Sequence, residues 1–394
     1  MSKTRRPKGA GSIRNRGTER APRWFAYHYV VIDGRRRQIS EGPFSRKVDA
    51  EAWLRDELKL AREGRATVPK RITTAELLDD WLAVARRQLS PNTRAEYERV
   101  ASKRLRPHIG DVKLTELRPP DIARMLDQLR QPGANRRGTT GDKGLSETSL
   151  QHTLGVLRTA LAWAVRQRLI SHNPADDIDR PQREAKEMRV WAADELARFL
   201  DHVADDRLHP LFRLAAFTGM RRSEVLGLRW SDVDLEAATV SVRRTRTRVA
   251  YEMHEAARTK TRAGTRVVDI DPATVAVLRR WAKAQKAERL AWGPAYTDSG
   301  YVFSAEDGRA VHADHVANRF ARLVKAAGVP PIRFHDLRHT HASLLLARGT
   351  PVLDVSRRIG HASAAMTLDV YGHVVPGQGQ RAAAAFADLV EDSR

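Results

Sequence analysis

The sequence predicts a multidomain protein that is mainly α-helical and carries small β elements. Three observations lead to this expectation. The chain has 394 residues, which is room for two or three domains. Apolar residues recur at helical spacing through most of its length. Runs of alternating apolar and polar residues occur only near the N-terminus and between residues 239 and 270, which confines strands to two small regions.

Residues 1–66 are predicted to form a small β-sheet with one helix packed on it. Trp24 to Ile32 alternates as a strand does, and Asp33-Gly34 is a hairpin turn signal. A return strand follows, and Ser45 then caps a helix. Residues 1 to about 19 are basic, rich in glycine and without periodicity, so a flexible arm is expected there.

Residues 73–175 are predicted to form a helical domain after a short linker at 67–72. Ser90-Pro91 places a capping residue before a proline at the first helical position. Leu150 to Val165 carries apolar residues on one helical face, which indicates a strongly amphipathic helix. The polar, glycine-rich stretch from Gln131 to Gly144 is expected to be a loop.

Residues 187–394 are predicted to form a mixed, mostly α domain after a charged linker at 176–189. Thr218-Gly219-Met220 is expected to be a turn that delivers Arg221 to the start of a helix. Strands are expected at 239–249 and 265–270. The other expected helices are 192–203, 211–217, 274–289, 311–327 and 381–390.

Charge and composition narrow the class of partner. The net charge is +22, and residues 1–66 alone hold 17 Lys/Arg against 8 Asp/Glu, a net of +9. Such a field favours a polyanion, with nucleic acid ahead of a membrane surface. No apolar run approaches the ~18 residues that a membrane span needs, and no secretory signal is evident. The absence of cysteine excludes disulfides and thiolate chemistry, so a cytoplasmic protein is expected.

Chemically capable residues concentrate between Phe334 and His373. His335 and Arg338 are three residues apart and share a helix face. His361 follows a glycine, and Tyr371 comes ten residues later. Upstream, the segment TGMRRSEVLGLRW contains Arg221, and a basic loop at 258–264 contains Lys260. The remaining singled-out histidines are expected at the surface, in the core or at helix caps: His312, His315, His339, His341 and His373.

Together these short motifs resemble the signature of the tyrosine recombinases, the phage-integrase family. The match consists of Arg221, Lys260, His335-Asp-Leu-Arg338-His, Gly360-His361 and Tyr371-Gly-His, in the family's order. The resemblance implies a site-specific DNA recombinase that integrates or excises a phage or other mobile element. It also implies a tyrosine-recombinase catalytic domain at 187–394, a core-binding domain at 73–175 and an arm-type DNA-binding domain at 1–66.

The resemblance assigns roles to the matching residues. Tyr371 would be the nucleophile that forms a 3′-phosphotyrosine bond. Arg221 and Arg338 would each direct two N–H donors onto the phosphate. Lys260 would protonate the departing 5′-oxygen, His335 would shuttle the tyrosine proton and His361 would hydrogen-bond the phosphate. Neither a cofactor nor a metal is implied. Glu224 is expected to be a structural carboxylate that holds an arginine.

Three alternatives stay open from the residues alone. His335 and His339 have the i, i+4 spacing of a zinc pair, although Asp336 and Arg338 disfavour a metal site there. A non-catalytic DNA-binding protein of the same fold fits the basic charge equally well. A type IB topoisomerase-like enzyme uses the same tyrosine and arginine chemistry.

The resemblance also implies partners. They are double-stranded DNA at core and arm-type attachment sites, and further copies of the chain in a tetramer on DNA. The helix around Phe386 is expected to dock on a neighbouring copy. An accessory directionality factor and a host DNA-bending protein are further candidate partners, and no membrane partner is expected.

Overall fold

A computed structural model shows a mostly helical chain with small sheets, as predicted. It describes residues 11–18, 21–32, 35–62, 72–133, 144–182, 189–249, 252–256 and 265–371, together with 383, 386–388 and 390–391. The chain divides into two compact units, residues 1–185 and 186–394. No helix in the described ranges is long and apolar enough to cross a membrane. The turn at Asp33-Gly34, Lys260 and most of the C-terminal tail lie outside those ranges.

The N-terminal residues form an antiparallel sheet covered by one helix. The sheet has the order β1-β2-β3 and carries the helix α1 against β2: β1 is Ser12–Asn15, β2 is Trp24–Ile32, β3 is Arg35–Phe44 and α1 is Lys47–Arg62. Ala26, Ala50 and Leu54 form the small core between them. The predicted sheet and helix are therefore present. The prediction of a flexible arm was wrong at β1, because Ser12 to Asn15 pairs with Trp24 to Tyr27.

The rest of the first unit is a helical bundle. Its helices are α2 (Thr74–Ala85), α3 (Pro91–Val100), α4 (Arg106–Ile109), α5 (Pro119–Arg130) and α6 (Glu147–Arg166). A π-helical turn, Ala101–Leu105, joins α3 to α4. The side chain of Ser90 accepts a hydrogen bond from the Thr93 amide and caps α3, as expected. The apolar face of α6 is buried in a core separate from that of the sheet.

The second unit surrounds a small sheet and a hairpin with helices. The helices are α7 (Ala193–His202), α8 (His209–Thr218), α9 (Arg222–Leu226), α10 (Pro272–Trp292), α11 (Ala313–Ala326), α12 (Asp336–Ala347), α13 (Val352–Ile359) and α14 (Ala364–Tyr371). The strands are β4 (Val233–Asp234), β5 (Thr239–Val242), β6 (Thr245–Val249), β7 (Glu252–Ala256) and β8 (Arg266–Asp269). One sheet has the order β4-β5-β8, and β6 pairs with β7.

The prediction of a single strand over 239–249 was wrong. The alternating pattern continues through these residues, yet β5 and β6 belong to different sheets. The strand is interrupted between β5 and β6, where the Arg244 guanidinium donates to the buried carboxylate of Asp232 at 2.6 Å. A buried carboxylate needs a partner of this kind, and the alternating pattern does not show this long-range contact.

An aromatic core fixes the start of α12. Trp191, Phe199, Phe212 and Phe320 pack with ring centroids 5.0 to 5.9 Å apart, and Phe334 meets Phe320 edge-on at 5.6 Å. Phe334 lies two residues before the first residue of α12 and directly before its N-cap residue, His335. Burial of its ring therefore anchors the helix turn that carries the candidate histidine and arginine residues.

Candidate active site

The turn between α8 and α9 places Arg221. Helix α8 ends at Thr218, and Gly219 adopts a left-handed conformation with φ of 63°. A Cβ atom on Gly219 would lie 2.8 Å from the His341 ring and 3.0 Å from Ile359, so both the conformation and the space require glycine. The chain then reaches Arg221, which is the N-cap residue of α9. The predicted turn and helix start are confirmed.

Arg221 is held in place by two further groups. Its Nη1 atom donates to Glu224 at 2.8 Å, and its Nη2 atom donates to the Gly360 carbonyl at 2.8 Å. Glu224 is 2% exposed and also accepts from Arg266 at 3.0 Å. Burial would raise the pKa of Glu224, but Arg266 and Arg221 hold this pKa below its usual range. Glu224, expected to hold an arginine, therefore bridges two.

Arg338 lies almost wholly inside the domain with one donor unpaired. It is 3% exposed, and its Nη1 atom donates to the carbonyls of Gly219, at 2.8 Å, and Ile359. Its Nη2 atom is buried and has no hydrogen-bond partner in the described part of the chain. Burial, and then the charge of Arg221, lowers the pKa of Arg338 to about 9. An anion placed against Nη2 would relieve both the missing hydrogen bond and this repulsion.

Tyr371 ends α14 and faces the same cluster from the C-terminal side. The side chain is 1% exposed, and its hydroxyl lies 2.7 Å from His339 Nδ1. Burial raises the pKa of Tyr371 to about 12, although Arg338 acts in the opposite direction. The Tyr371 ring packs among Ala342, Val355 and Ile359. The candidate nucleophile therefore lies close enough to Arg338 for the charge of Arg338 to act on it.

The two predicted histidines flank this tyrosine differently. The His361 ring is nearly parallel to that of Tyr371 at 6.4 Å, and its Nδ1 atom lies 2.9 Å from the Thr367 hydroxyl. Burial, and then the charges of Arg338 and Arg221, lowers the pKa of His361 to about 4. His335 is exposed, and its ring meets the His339 ring edge-on at 5.3 Å.

The structure therefore brings five of the six predicted site residues into one cluster. Arg221, His335, Arg338, His361 and Tyr371 come from the α8–α9 turn, α12, the α13–α14 turn and α14. Lys260, the sixth, lies outside the described residues. The roles assigned to all six stay predictions at this point.

Sequence reasoning missed three residues that build the cluster. Arg266 donates to Glu224, and its Nε atom also donates to the Arg358 carbonyl at 2.7 Å. Arg358 donates to the carbonyls of Phe217 and Asp269, both at 3.0 Å. His339 holds the Tyr371 hydroxyl. The sequence signal that points to His339 is its i, i+4 spacing from His335, which places the two histidines on one helix face.

His341 gives a pH prediction for stability. It is 8% exposed, and its Nε2 atom accepts from Arg358 at 3.1 Å. Burial, and then the charge of Arg358, lowers the pKa of His341 to about 4. In the unfolded chain the pKa of a histidine is near 6.5. Between about pH 4 and pH 6.5 the unfolded chain therefore binds more protons at this position than the folded chain does. Stability should fall as pH drops from 6.5 to 4, with His341 contributing about 3 kcal/mol at most.

The matched variant is His341→Gln, whose side-chain oxygen can still accept from Arg358. Urea unfolding at several pH values, followed by hydrogen exchange across Asp336–Ala347, should show a shallower pH dependence for this variant. Because His339 and His361 titrate in the same window, some dependence should persist. An identical slope in both proteins would contradict the assignment to His341.

A metal site was an open alternative from the sequence. Within the described ranges, no group of three or more histidine, aspartate or glutamate side chains is arranged to hold a metal ion. In the proposed zinc pair, the Nδ1 atom of His339 is already engaged by Tyr371. In this structure one member of the pair, His339, is therefore committed to the tyrosine.

The mostly helical fold and the cluster of arginines beside a buried tyrosine together indicate a class of protein, an enzyme that acts on DNA phosphodiesters. Comparison with known proteins agrees. Residues 189–377 match the model of the phage integrase family, and residues 73–130 match the phage integrase N-terminal SAM-like domain. The chain belongs to the phage integrase family of tyrosine recombinases, and it is a site-specific recombinase that cleaves and rejoins DNA.

Curated relatives align over nearly their whole length. The "Tyrosine recombinase XerC-like" protein of Caldanaerobacter subterraneus subsp. tengcongensis is 27% identical, with 87% of this chain and 90% of the relative covered. The ICEBs1 integrase of Bacillus subtilis is 26% identical, with 93% and 96% covered. An integrase of Streptomyces ambofaciens is 27% identical, with 93% of each chain covered.

Solved structures show the same fold. The Tn1549 transposon integrase, in complex with a circular intermediate DNA, has a TM-score of 0.65 at 20% identity, with 76% of this chain and 95% of that chain covered. A lambda integrase tetramer bound to a Holliday junction has a TM-score of 0.53 at 16% identity, with 89% and 96% covered. At these identities the structures establish the fold alone.

Proposed function

We propose that this chain cuts one DNA strand per protomer by attack of Tyr371 on a phosphodiester, then exchanges and reseals the strands. The observation that carries the proposal is the buried, unpaired Nη2 donor of Arg338 in the cluster that holds Tyr371. A scissile phosphate there would accept from Arg338 and Arg221. Such preorganised donors in a dry site are each worth roughly 3–4 kcal/mol in the transition state.

The remaining roles are proposed on the family resemblance, and the arrangement of the described residues supports two of them. Arg221 is aimed by Glu224 and the Gly360 carbonyl, so its guanidinium is oriented before DNA binds. His361 is proposed to hydrogen-bond the phosphate, and its position beside the Tyr371 ring supports this role. Lys260 is proposed as the acid for the leaving 5′-oxygen. The described strand that follows its loop begins at Arg266, which shares Glu224 with Arg221.

The test is covalent capture without metal. A DNA duplex selected by binding from a random library, and nicked near the cut, should give a protein–DNA adduct in excess EDTA. Tyrosine chemistry of this kind keeps the ester energy in the phosphotyrosine bond, so it needs neither metal nor nucleotide. Peptide mapping should place the phosphoryl group on Tyr371. An adduct that forms only after zinc or magnesium is restored would contradict the proposal.

The N-terminal sheet is proposed as a second DNA-binding element for arm-type sites. Three arginines lie over its aromatic rings: Arg14 over Tyr27 at 5.8 Å, Arg16 over Phe25 at 5.3 Å and Arg36 over Tyr29 at 4.2 Å. Stacking on a ring limits the motion of a guanidinium while its N–H groups stay available. A three-stranded sheet edged in this way suits a DNA groove.

Removing this element should weaken binding to full-length sites and make it less salt dependent. Deletion of residues 1–66 should spare cleavage at a core site but reduce integrative recombination. In the full chain, Arg16→Gln and Arg36→Gln should each lower the salt slope by roughly 0.9, the value for one phosphate contact on duplex DNA. The control is Arg46→Gln, because Arg46 is exposed but paired with Asp49. Equal slopes in all proteins would argue against DNA contact here.

The proposal also covers the number of copies that act on DNA, the accessory partners and the cellular location. The solved lambda integrase tetramer on a Holliday junction supports four copies acting on two DNA sites. Phe386 is 69% exposed, which suits docking of the C-terminal tail on a neighbouring copy. We include a directionality factor and a host DNA-bending protein as further partners in this proposal. A cytoplasmic location is also proposed, because the DNA substrate of such an enzyme lies in the cytoplasm.

A further inference from the structure

The Tyr371 hydroxyl forms a hydrogen bond with His339, a histidine to which no catalytic role has been assigned. The distance from the hydroxyl to His339 Nδ1 is 2.7 Å, and the two ring centroids are 5.7 Å apart. His335, the histidine expected to shuttle the proton, has no hydrogen bond from its ring to any described residue and contacts His339 edge-on. Of these two histidines in the described part of the chain, only His339 touches the phenol.

We propose that His339, rather than His335, accepts the phenolic proton of Tyr371 when the strand is cut and returns it when the strand is resealed. The inference rests on the proposed function, because it needs Tyr371 to be the nucleophile. It makes His339 a catalytic residue, since its Nδ1 atom touches the reacting oxygen.

The proton and the bonds balance without any further reagent. As the Tyr371 oxygen bonds to phosphorus, its proton passes to His339 Nδ1. The bond from phosphorus to the 5′-oxygen breaks, and that oxygen takes a proton from Lys260. On resealing, the 5′-hydroxyl attacks phosphorus and gives its proton back to Lys260. The departing Tyr371 oxygen then recovers its proton from the His339 imidazolium.

The surroundings of His339 suit an acceptor that is neutral at rest. Burial, and then His335, lowers the pKa of His339 to about 4, so its ring nitrogen can accept at neutral pH. The pKa of Tyr371 is about 12, so the proton stays on the phenol until attack begins. Asp336, one helical turn earlier, opposes the fall in the His339 pKa and would stabilise the imidazolium that forms. The positive groups that face it are Arg338 and Arg333.

A purely structural hydrogen bond is the competing explanation, and asparagine separates the two. The side-chain oxygen of Asn at position 339 can accept from the phenol, but it cannot take the proton. In single-turnover cleavage on a nicked duplex, His339→Asn should be on the order of 10²–10⁴-fold slower than the native protein, with unchanged DNA affinity. Native-like cleavage by His339→Asn would overturn the proposal.

A second measurement removes the proton requirement instead of the residue. In the Tyr371→Phe protein, a strand ending in a 3′-p-nitrophenyl phosphate can be joined to a 5′-hydroxyl strand. Because p-nitrophenolate leaves without a proton, adding His339→Asn should change the joining rate less than twofold. A loss as large as that seen in cleavage would show that His339 serves the phosphate or the fold, and would overturn the proposal.

The comparator is His335→Asn, tested in both reactions. A large loss in cleavage with none in joining, seen for His335→Asn and not for His339→Asn, would assign the proton to His335. Failure of the proposed function looks different, because Tyr371→Phe would then still form a covalent adduct. The two ideas can therefore fail separately.

Discussion

Tyr371→Phe is expected to bind DNA with native affinity and to form no covalent adduct. The ring would keep its place among Ala342, Val355 and Ile359, so the domain should fold. Only the hydroxyl is lost, together with its hydrogen bond to His339. Removing a nucleophile typically costs at least about 10⁴ in rate. Denaturing gels with a nicked substrate measure the adduct directly, and any adduct from this variant would remove Tyr371 from its role.

A mixing control tests whether the site is complete within one chain. Tyr371 and Arg338 lie in one cluster of the same polypeptide. A mixture of Tyr371→Phe and Arg338→Ala proteins should therefore stay inactive, because neither contributes a complete site. Recovery of cleavage in the mixture would mean that the tyrosine acts on a phosphate held by a neighbouring copy.

Lys260→Ala is expected to cleave ordinary DNA about 10²–10⁴-fold more slowly, the usual contribution of a general acid. An alkoxide is a poor leaving group and needs a proton, whereas a thiolate leaves readily. The same variant should therefore recover much of its rate on DNA in which sulfur replaces the bridging 5′-oxygen. Single-turnover rates on the two matched duplexes give the rescue factor.

The matched control for this rescue is Arg221→Ala. Arg221 is oriented by Glu224 and the Gly360 carbonyl toward a phosphate, and the sulfur exchange leaves the non-bridging oxygens unchanged. Its variant should show no rescue. If sulfur rescues neither protein, Lys260 contacts only the DNA backbone, and the acid must be sought at Arg258, Arg262 or one of the cluster histidines.

Local signals predicted the elements that carry the site. Ser90-Pro91 gives a capped helix start, and Thr218-Gly219-Met220 gives the left-handed turn before α9. Each of these features depends on neighbours within one or two helical turns, and such short-range preferences are visible in a sequence.

Long-range pairing was not predictable in the same way. The sequence pattern predicts β5 and β6 as a single strand, because alternation reports a strand but not its partner. Arg266 meets Glu224 across 42 residues, and Arg358 meets the Phe217 carbonyl across 141. Nothing local distinguishes these arginines from the others in a chain with 70 Lys/Arg.

The sequence by itself determined the family and the mostly helical fold, and it singled out six residues to which the family resemblance assigns catalytic roles. The order and spacing of these residues are fixed by the covalent chain, and the residues around each motif predict a local turn or helix. Only the tertiary structure decided which groups touch: that Arg338 keeps one buried donor unpaired, that Glu224 serves two arginines, and that Tyr371 meets His339 and not His335. These contacts depend on where packed helices bring distant side chains, because burial forces polar groups to find partners wherever the fold supplies them.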